Sequence, residues 1–562
     1  MLGVKVNLKQ IVFGMKSKKL QHLIKFMLTF KLNNEPTNIQ LTICYNRKSS
    51  IFQSHKSYKN SLCTILTKNS NKNRNFPSFK VNHQSKIKMK FLKLLMLFTV
   101  ISFNLNAQNN SNLKNNQQEN TTYAIKNVNV IPMTKENKVI KNATVVLKEN
   151  KIFSINNSIP ENATIIDGTD KWLIPGLIDM HVHTLADGSP FVIYPTKGPL
   201  VSYNTQYNMT PYLANGVTTV FDLGARTEHF GQRNEIIRGD VIGPRMALAK
   251  VIGGKKSNPI AKNPSDGRNA VRFAKEEGYE FIKAYTWLNK ETFKAVIDEA
   301  EKHNMKVVGH IPVAFEGKPA KDFFVPHFGL IAHAEELSKQ TDDYSYEKAQ
   351  EFARLAKDNG TWLIPNMTNM LSISQQAKSL QSIENLEGFK YVHPLMQSKW
   401  LTSNGYYGAS EKLIEYYNKL YEFHILIVKA FKEVGVPMLA GTDAGISGII
   451  WGFSIHDELK LLVEAGLTNE EALASATRLG AEWLEIDNKI GTIETGKFAD
   501  LVLLDENPLD NINNTRKISG VFVNGKWIDR SKIDIMLLDV ERWNNANKEK
   551  YDWKELLNSL KN

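Results

Sequence analysis

Eight short apolar runs alternate with helical stretches between residues 174 and 485, and short alternating runs bracket them on both sides. Strand-then-helix alternation is the pattern of parallel β/α units, whereas period-two runs broken by polar turns indicate antiparallel strands. Together they predict an α/β chain: a (β/α)₈ TIM-type barrel carrying a small β-sandwich domain built from both ends of the mature chain. At 562 residues, 42% of them hydrophobic and 23% charged, the chain has room for such an assembly and an ordinary globular composition.

The front of the chain stands apart. The formal charge is +14, but residues 1–88 alone carry +16, with Glu35 as their single acid, and Lys90 and Lys93 add two more. That leaves −4 for residues 108–562, so the basicity does not belong to the globular part and a nucleic-acid partner loses its support. Met89-Lys90-Phe91-Leu92-Lys93, followed by the apolar run Leu94–Phe103 and the small residue Ala107, reads as a secretory signal over 89–107. The run is shorter than the roughly 20 residues of a membrane span, so no membrane anchor is expected in the mature chain. Residues 1–88 then read as a mis-assigned start, and 108–121 as a flexible lead-in. Cys44 and Cys63 both fall before Met89, leaving the mature chain without disulfides or thiol chemistry. A secreted or periplasmic protein is expected.

Within the globular part, Tyr123–Ile131, Ala143–Leu147 and Lys151–Ile155 read as antiparallel strands of a first sandwich portion over 122–173. A second portion, 486–532, contains Ala499–Leu504 and Ile518–Val523, then Asn524-Gly525, a two-residue hairpin signal; 533–562 forms a C-terminal tail. The barrel, 174–485, has strand candidates at 174–183, 217–223, 245–252, 280–285, 306–311, 329–335, 362–367 and 436–443, with helical stretches such as Asn289–Asn304 and Tyr346–Asn359 between them. An insertion at 370–430, rich in Tyr, Ser and Lys, follows strand seven and reads equally as a cap or a surface elaboration.

Catalytic groups of such barrels come from the C-terminal ends of strands. Strand one ends in His181-Val182-His183, whose spacing aims both imidazoles to one side with Val182 turned away. Strand four carries Lys283 in an apolar run, where an ordinary cation would be costly to bury. Strands five and six end in His310 and His333, and strand eight in Asp443. Each alone has a structural reading; their appearance in order at successive strand ends points to a divalent-metal site. Tyr285 shares the strand face of Lys283 and either donates to a developing oxyanion or lines the barrel wall. Arg226 and Glu335, with its neighbour Glu336, sit where substrate would be read, as do Val313–Pro326 and Asn366-Met367-Thr368-Asn369, although surface loops serve as well. Ile252-Gly253-Gly254-Lys255 lacks the spacing of a nucleotide loop and reads as a βα turn.

Over roughly 123–530 the sequence resembles the amidohydrolase superfamily, in its imidazolonepropionase-like and prolidase-like branch. The resemblance rests on Pro175-Gly176-Leu177-Ile178-Asp179-Met180-His181-Val182-His183, Gly216-Val217-Thr218-Thr219-Val220, Gly441-Thr442-Asp443-Ala444-Gly445 and the run Gly491–Val502. It implies two divalent metals, Zn²⁺ or another first-row ion, held by His181, His183, His310, His333 and Asp443 and bridged by carboxylated Lys283. It further implies that a water made acidic by the metals attacks a carbonyl while Asp443 carries its proton to the leaving nitrogen. A lysine paired with an acid outside the site is the alternative for Lys283. The expected activity is hydrolysis of a C–N bond in a small molecule or dipeptide, Xaa-Pro-like first and a cyclic amide or imidazolone next. A non-catalytic binding protein of the same fold would have lost some of these positions, and none is lost here. An oligomer is compatible with all of this. Mass spectrometry of the natural product should find Gln108 at its N-terminus; peptides from Lys31–Lys72 in the mature protein would sink the signal-peptide reading.

Overall fold

The computed structural model describes residues 26–31, 40–45, 122–184, 204–255 and 259–559. The signal and lead-in segments expected at 89–107 and 108–121 lie outside the described residues. Residues 1–112 form one unit, in which β1 (Phe26–Lys31) pairs antiparallel with β2 (Gln40–Tyr45). The second unit contains everything else.

Its first strands are β3 (Thr122–Val130), β4 (Ile140–Lys148), β5 (Lys151–Ile155), β6 (Thr164–Asp167) and β7 (Trp172–Pro175). The barrel staves follow: β8 (Leu177–Val182), β9 (Val217–Asp222), β10 (Arg245–Ile252), β11 (Phe281–Ala284), β12 (Lys306–Gly309), β13 (Phe328–Ala332) and β14 (Trp362–Ile364). The chain ends its sheets with β15 (Leu501–Leu504), β16 (Ile518–Val523) and β17 (Lys526–Asp529).

The seven staves β8 to β14 are hydrogen-bonded in sequence order, all parallel. The eighth stave expected at 436–443 is present as an extended segment without regular strand pairing. Leu363 N donates to Pro437 O at 3.3 Å and Leu439 N to Leu363 O at 2.9 Å on one side. Met180 N donates to Ala440 O at 3.0 Å and Asp443 N to His181 O at 2.7 Å on the other, closing the ring. Its Gly441 lets it approach so closely: a Cβ there would lie 2.6 Å from Ile364 Cγ2 and 3.0 Å from the His181 backbone nitrogen.

The barrel interior is an apolar plug of Ile178, Met180, Phe221, Val308, Leu330, Ile364 and Leu439, among others, stoppered by Trp483, whose ring stacks on Phe281 at 5.4 Å. A much larger apolar layer lies between staves and helices. Amphipathic helices such as Pro264–Glu277 and Lys290–Lys302 start at side-chain caps, Asn263 accepting from Asp266 N and Asn289 from Thr292 N, which satisfy otherwise orphaned amides.

The two flanking β regions form one mixed, eight-stranded sheet in the order β17-β16-β15-β7-β3-β4-β5, with β6 paired to β3. β15 runs antiparallel to β7, joining the late strands to the early ones. A bridge between Lys151 and Phe498 ties β5 to the approach of β15, so the sheet curls around its own core of Ile125, Val145, Leu173, Leu501 and Phe522. Asn524 and Gly525 both take positive φ, 49° and 75°, in the tight turn between β16 and β17.

The run 174–183 is therefore two strands. Pro175 ends β7 in the small sheet, and Leu177 starts the barrel. Gly176 sits between them because a Cβ would come within 2.0 Å of Thr218 Oγ1. Its N–H donates to Asp500 O at 2.8 Å. The Asp500 carboxylate, 2% exposed, accepts from Arg245 Nε of the barrel at 2.9 Å and from Asn524 N of the small sheet at 2.7 Å. The Gly491–Val502 motif thus includes the clasp between sheet and barrel. Asp500→Ala leaves partly buried donors without their carboxylate and should cost about 2 kcal/mol, read as a lowered thermal unfolding midpoint. A change below about 0.5 kcal/mol, the range of ordinary surface substitutions, would contradict the clasp.

Candidate metal centre

Each stave end delivers the side chain expected of it. The register between β8 and β9 shifts between Asp179 and Val182. Because the alternation changes phase there, Ile178 and Met180 fill the barrel interior while Val182 packs in the outer layer. His181 Nε2 and His183 Nε2 converge on Asp443 Oδ1 at 3.2 and 3.0 Å. The candidate ligand atoms of these three residues all lie within 4.8 Å of one another. Lys283 Nζ is 3.3 Å from His181 Nε2, and Lys283 forms no ion pair with an acid among the described residues. His333 Nε2 lies 3.9 Å from Asp443 Oδ2, and its ring contacts those of His181 and His310 at centroid distances of 4.7 and 5.1 Å. His333 and Asp443 hold φ values of 78° and 66°, left-handed backbone that non-glycine residues avoid unless surrounding structure imposes it.

Electrostatics follow from burial. It holds the His181 and His310 imidazoles well below their ordinary range and pushes His333 down to about 4, so these rings are neutral. Burial also lowers the Lys283 ammonium toward its neutral form. For Asp443, burial works against ionisation, but the surrounding imidazoles prevail and hold it below the usual carboxylate range. His310 Nε2 and His333 Nδ1 are buried without a hydrogen-bond partner, and Asp443 Oδ1 faces the His181 and His183 rings. Converging imidazoles and an ionised carboxylate are the nitrogen and oxygen donor set that suits zinc and neighbouring dications. The residues fit a metal.

A second layer of buried polar groups holds the first. Asp179, fully buried, accepts from Thr442 Oγ1 at 2.7 Å, Thr442 N at 3.0 Å and His181 N at 3.2 Å, tying the first stave to the eighth; burial pushes its carboxyl up to about 7. Asp222 at the end of β9 accepts from Thr184 N, Thr184 Oγ1 and Gly224 N and lies 3.0 Å from His229 Nε2. It thereby pins the chain on either side of His183, whose ring leaves no space for a Cβ at Gly224. His310 Nδ1 is 2.8 Å from Thr286 Oγ1 and 3.5 Å from Glu336 Oε1, while Glu336 Oε2 accepts from Ile311 N.

The remaining expected residues divide. Tyr285 is half-buried beside the ring, its centroid 4.7 Å from that of His310. Glu335 lies near enough for its charge to act on His333, but its carboxylate is ion-paired with Lys339 at 2.9 Å. Arg226 caps the helix Thr227–Arg238, its backbone nitrogen bonded to His229 Nδ1. The helix Met367–Lys378, which leads into the insertion, reaches the site: Asn369 Nδ2 donates to Asp443 Oδ2 at 3.1 Å. Within the insertion, the Tyr406 phenol is pushed up to about 12 by burial and then by the Glu335 and Asp443 charges. Asp179 and Asp222 escaped the sequence reading. Asp179 stands two residues before His181 in the same alternation, and Asp222 closes strand two as the ligands close theirs, so both had a positional signal.

A family model described as "Amidohydrolase family" matches residues 172–528, more than half of the chain. Two similar curated proteins are 5-methylthioadenosine/S-adenosylhomocysteine deaminases. That of Thermoanaerobacter pseudethanolicus is 22% identical, covering 74% of this chain and 96% of its own, and that of Caldanaerobacter subterraneus subsp. tengcongensis is 24% identical, covering 74% and 95%. Among solved structures, a Xaa-Pro dipeptidase with methionine bound in its active site shares the fold with a TM-score of 0.56, 21% identity, and coverage of 73% of this chain and 100% of that one. The family match spans the barrel and more than half of the chain: the chain belongs to the amidohydrolase family, hydrolases that act on carbon–nitrogen bonds.

Proposed function

We propose that the protein is an exported, metal-dependent amidohydrolase that cleaves an amide or peptide-like bond in a small substrate, with a dipeptide of the Xaa-Pro kind as the leading class. The observation that carries this reading is Lys283, buried beside His181 Nε2 at 3.3 Å without an acidic partner within ion-pair reach among the described residues. Burial outweighs the attraction that Asp443, Glu336 and Asp222 exert on a cation there. A neutral amine that takes up CO₂ as a carbamate becomes an anion suited to sit between two cations. His181, His183 and Asp443 would hold one cation and His310 and His333 the other, most simply zinc. When bound, the cations supply a Lewis acid for the substrate carbonyl and lower the pKa of water.

The chain's own groups do the rest. Asp443 takes the proton of the attacking water at its carboxylate and returns it to the leaving nitrogen as the C–N bond breaks, giving a carboxylic acid and an amine. Asn369 orients that carboxylate through Oδ2. Tyr285 stands beside His310, where its phenol would stabilise the developing oxyanion. Glu335 and Arg226 are the proposed substrate-reading groups at the mouth. Export rests on the 89–107 segment. A second reading, loss of ammonia from an aminopurine, is favoured by the deaminase names of the curated relatives, which align with three quarters of this chain.

Metal analysis of the purified protein should give two zinc equivalents per chain, and a dipeptide library should show turnover that stops with chelator and returns with zinc. Ammonia release from aminopurines without dipeptide cleavage would favour the second reading. Lys283→Ala should hold fewer than two metals; a variant that keeps both would refute the carbamate bridge. Asp443→Asn should lower kcat by about 10²–10⁴-fold, the range of a lost proton-transfer group, and an unchanged kcat would remove Asp443 from the chemistry.

A further inference from the structure

We infer that Asn366 is a positioning residue for the metal centre, fixing the tautomer of His181 so that its Nε2 lone pair faces the ligand ring; this rests on the metal-dependent reading of that ring. Asn366 follows β14 with φ at 49°, a left-handed conformation that asparagine and glycine tolerate. The orientation of its amide is decided by the eighth stave. Nδ2 donates to Gly441 O at 2.6 Å, and the flipped amide would set oxygen against oxygen there. Oδ1 must therefore be the atom that lies 3.3 Å from His181 Nδ1.

An amide oxygen only accepts, and a neutral imidazole has one N–H to give. Facing Asn366, that proton sits on Nδ1, and Nε2 keeps its lone pair. Nε2 points into the ring, 3.3 Å from Lys283 Nζ and 3.2 Å from Asp443 Oδ1. Asp443 pulls the other way, since its oxygen would accept an Nε2–H. Asn366 opposes that tautomer, in which Nε2 would no longer be an electron-pair donor. The chain just beyond Asn366 is itself anchored: buried Glu458 accepts from Met367 N at 3.0 Å and from Thr368 N and Oγ1 at 2.8 Å each. A partner on the outer nitrogen of a ligand histidine is worth about 10–100-fold in metal affinity.

The test uses the full chain, with zinc affinity measured by competition against a chromogenic chelator, thermal unfolding of the metal-free proteins, and the nitrogen NMR shifts of the His181 ring in the metal-free wild type. The wild-type ring should carry its proton on Nδ1 and none on Nε2. Asn366→Gly keeps the backbone conformation and removes the acceptor. It should unfold near the wild-type temperature without metal, yet bind zinc about 10–100-fold more weakly. Wild-type affinity in Asn366→Gly, or a metal-free wild-type His181 protonated on Nε2, overturns the inference while leaving the centre in place. Should the glycine variant not fold, the wild-type ring shifts decide alone: a proton on Nδ1 supports the inference, a proton on Nε2 overturns it. A wild-type chain that binds no zinc overturns the metal reading itself, and this inference with it.

Discussion

The structure depends on one electrostatic constraint. An ionised carboxylate, Asp443, and the imidazoles of His181 and His183 are held 3.0–3.2 Å apart, with both rings converging on the same carboxylate oxygen, Oδ1. Such an arrangement is poor for a protein that must satisfy its own buried polar atoms, and it is the arrangement that a dication needs. Folding therefore has to position these groups by other means. The left-handed backbone at His333 and Asp443, the shift of register before Val182 and the bare Gly441 are where the barrel accommodates that demand.

What holds the ring is a set of buried carboxylates behind it. Asp179 ties the first stave to the eighth through Thr442, Asp222 brackets His183, Glu336 supports the turn after His310, and Glu458 anchors the chain after Asn366. Each accepts backbone N–H groups at a stave end, so each converts a loose strand terminus into a fixed one. The Asp500 clasp acts one level further out, holding the small sheet against the barrel at the point where Gly176 passes from one to the other.

Much of this was legible in the sequence, and the reason is physical. Parallel strands buried on both faces are continuous apolar runs, so the ionisable residues that end them stand out, and His181, His183, Lys283, His310, His333 and Asp443 were visible for that reason. Less legible was anything that depends on contact between distant segments. The eighth stave reads as a strand but pairs irregularly, because Gly441 brings it against Ile364 and His181 and Asp443 takes a positive φ. The run 174–183 reads as one strand because nothing in its apolar pattern marks Gly176 as the crossing between two sheets. Asn366 and Asn369 were visible only as residues near the mouth; that one faces an imidazole and the other a carboxylate follows from the start of the helix Met367–Lys378 and the eighth stave meeting in space. Glu335 and Arg226 show the converse: a charge beside a strand end is a weak signal, since Glu335 already has Lys339 as its partner.

The central claim is that this ring holds metal. The most direct measurement is anomalous diffraction from crystals of the zinc-loaded protein, recorded on either side of the zinc absorption edge. The account predicts one peak bounded by His181, His183 and Asp443, a second bounded by His310 and His333, and density for a carbamate on Lys283 between them. Zinc-loaded crystals with no peak inside this ring, and with Asp443 and the histidines hydrogen-bonded to one another, would contradict it.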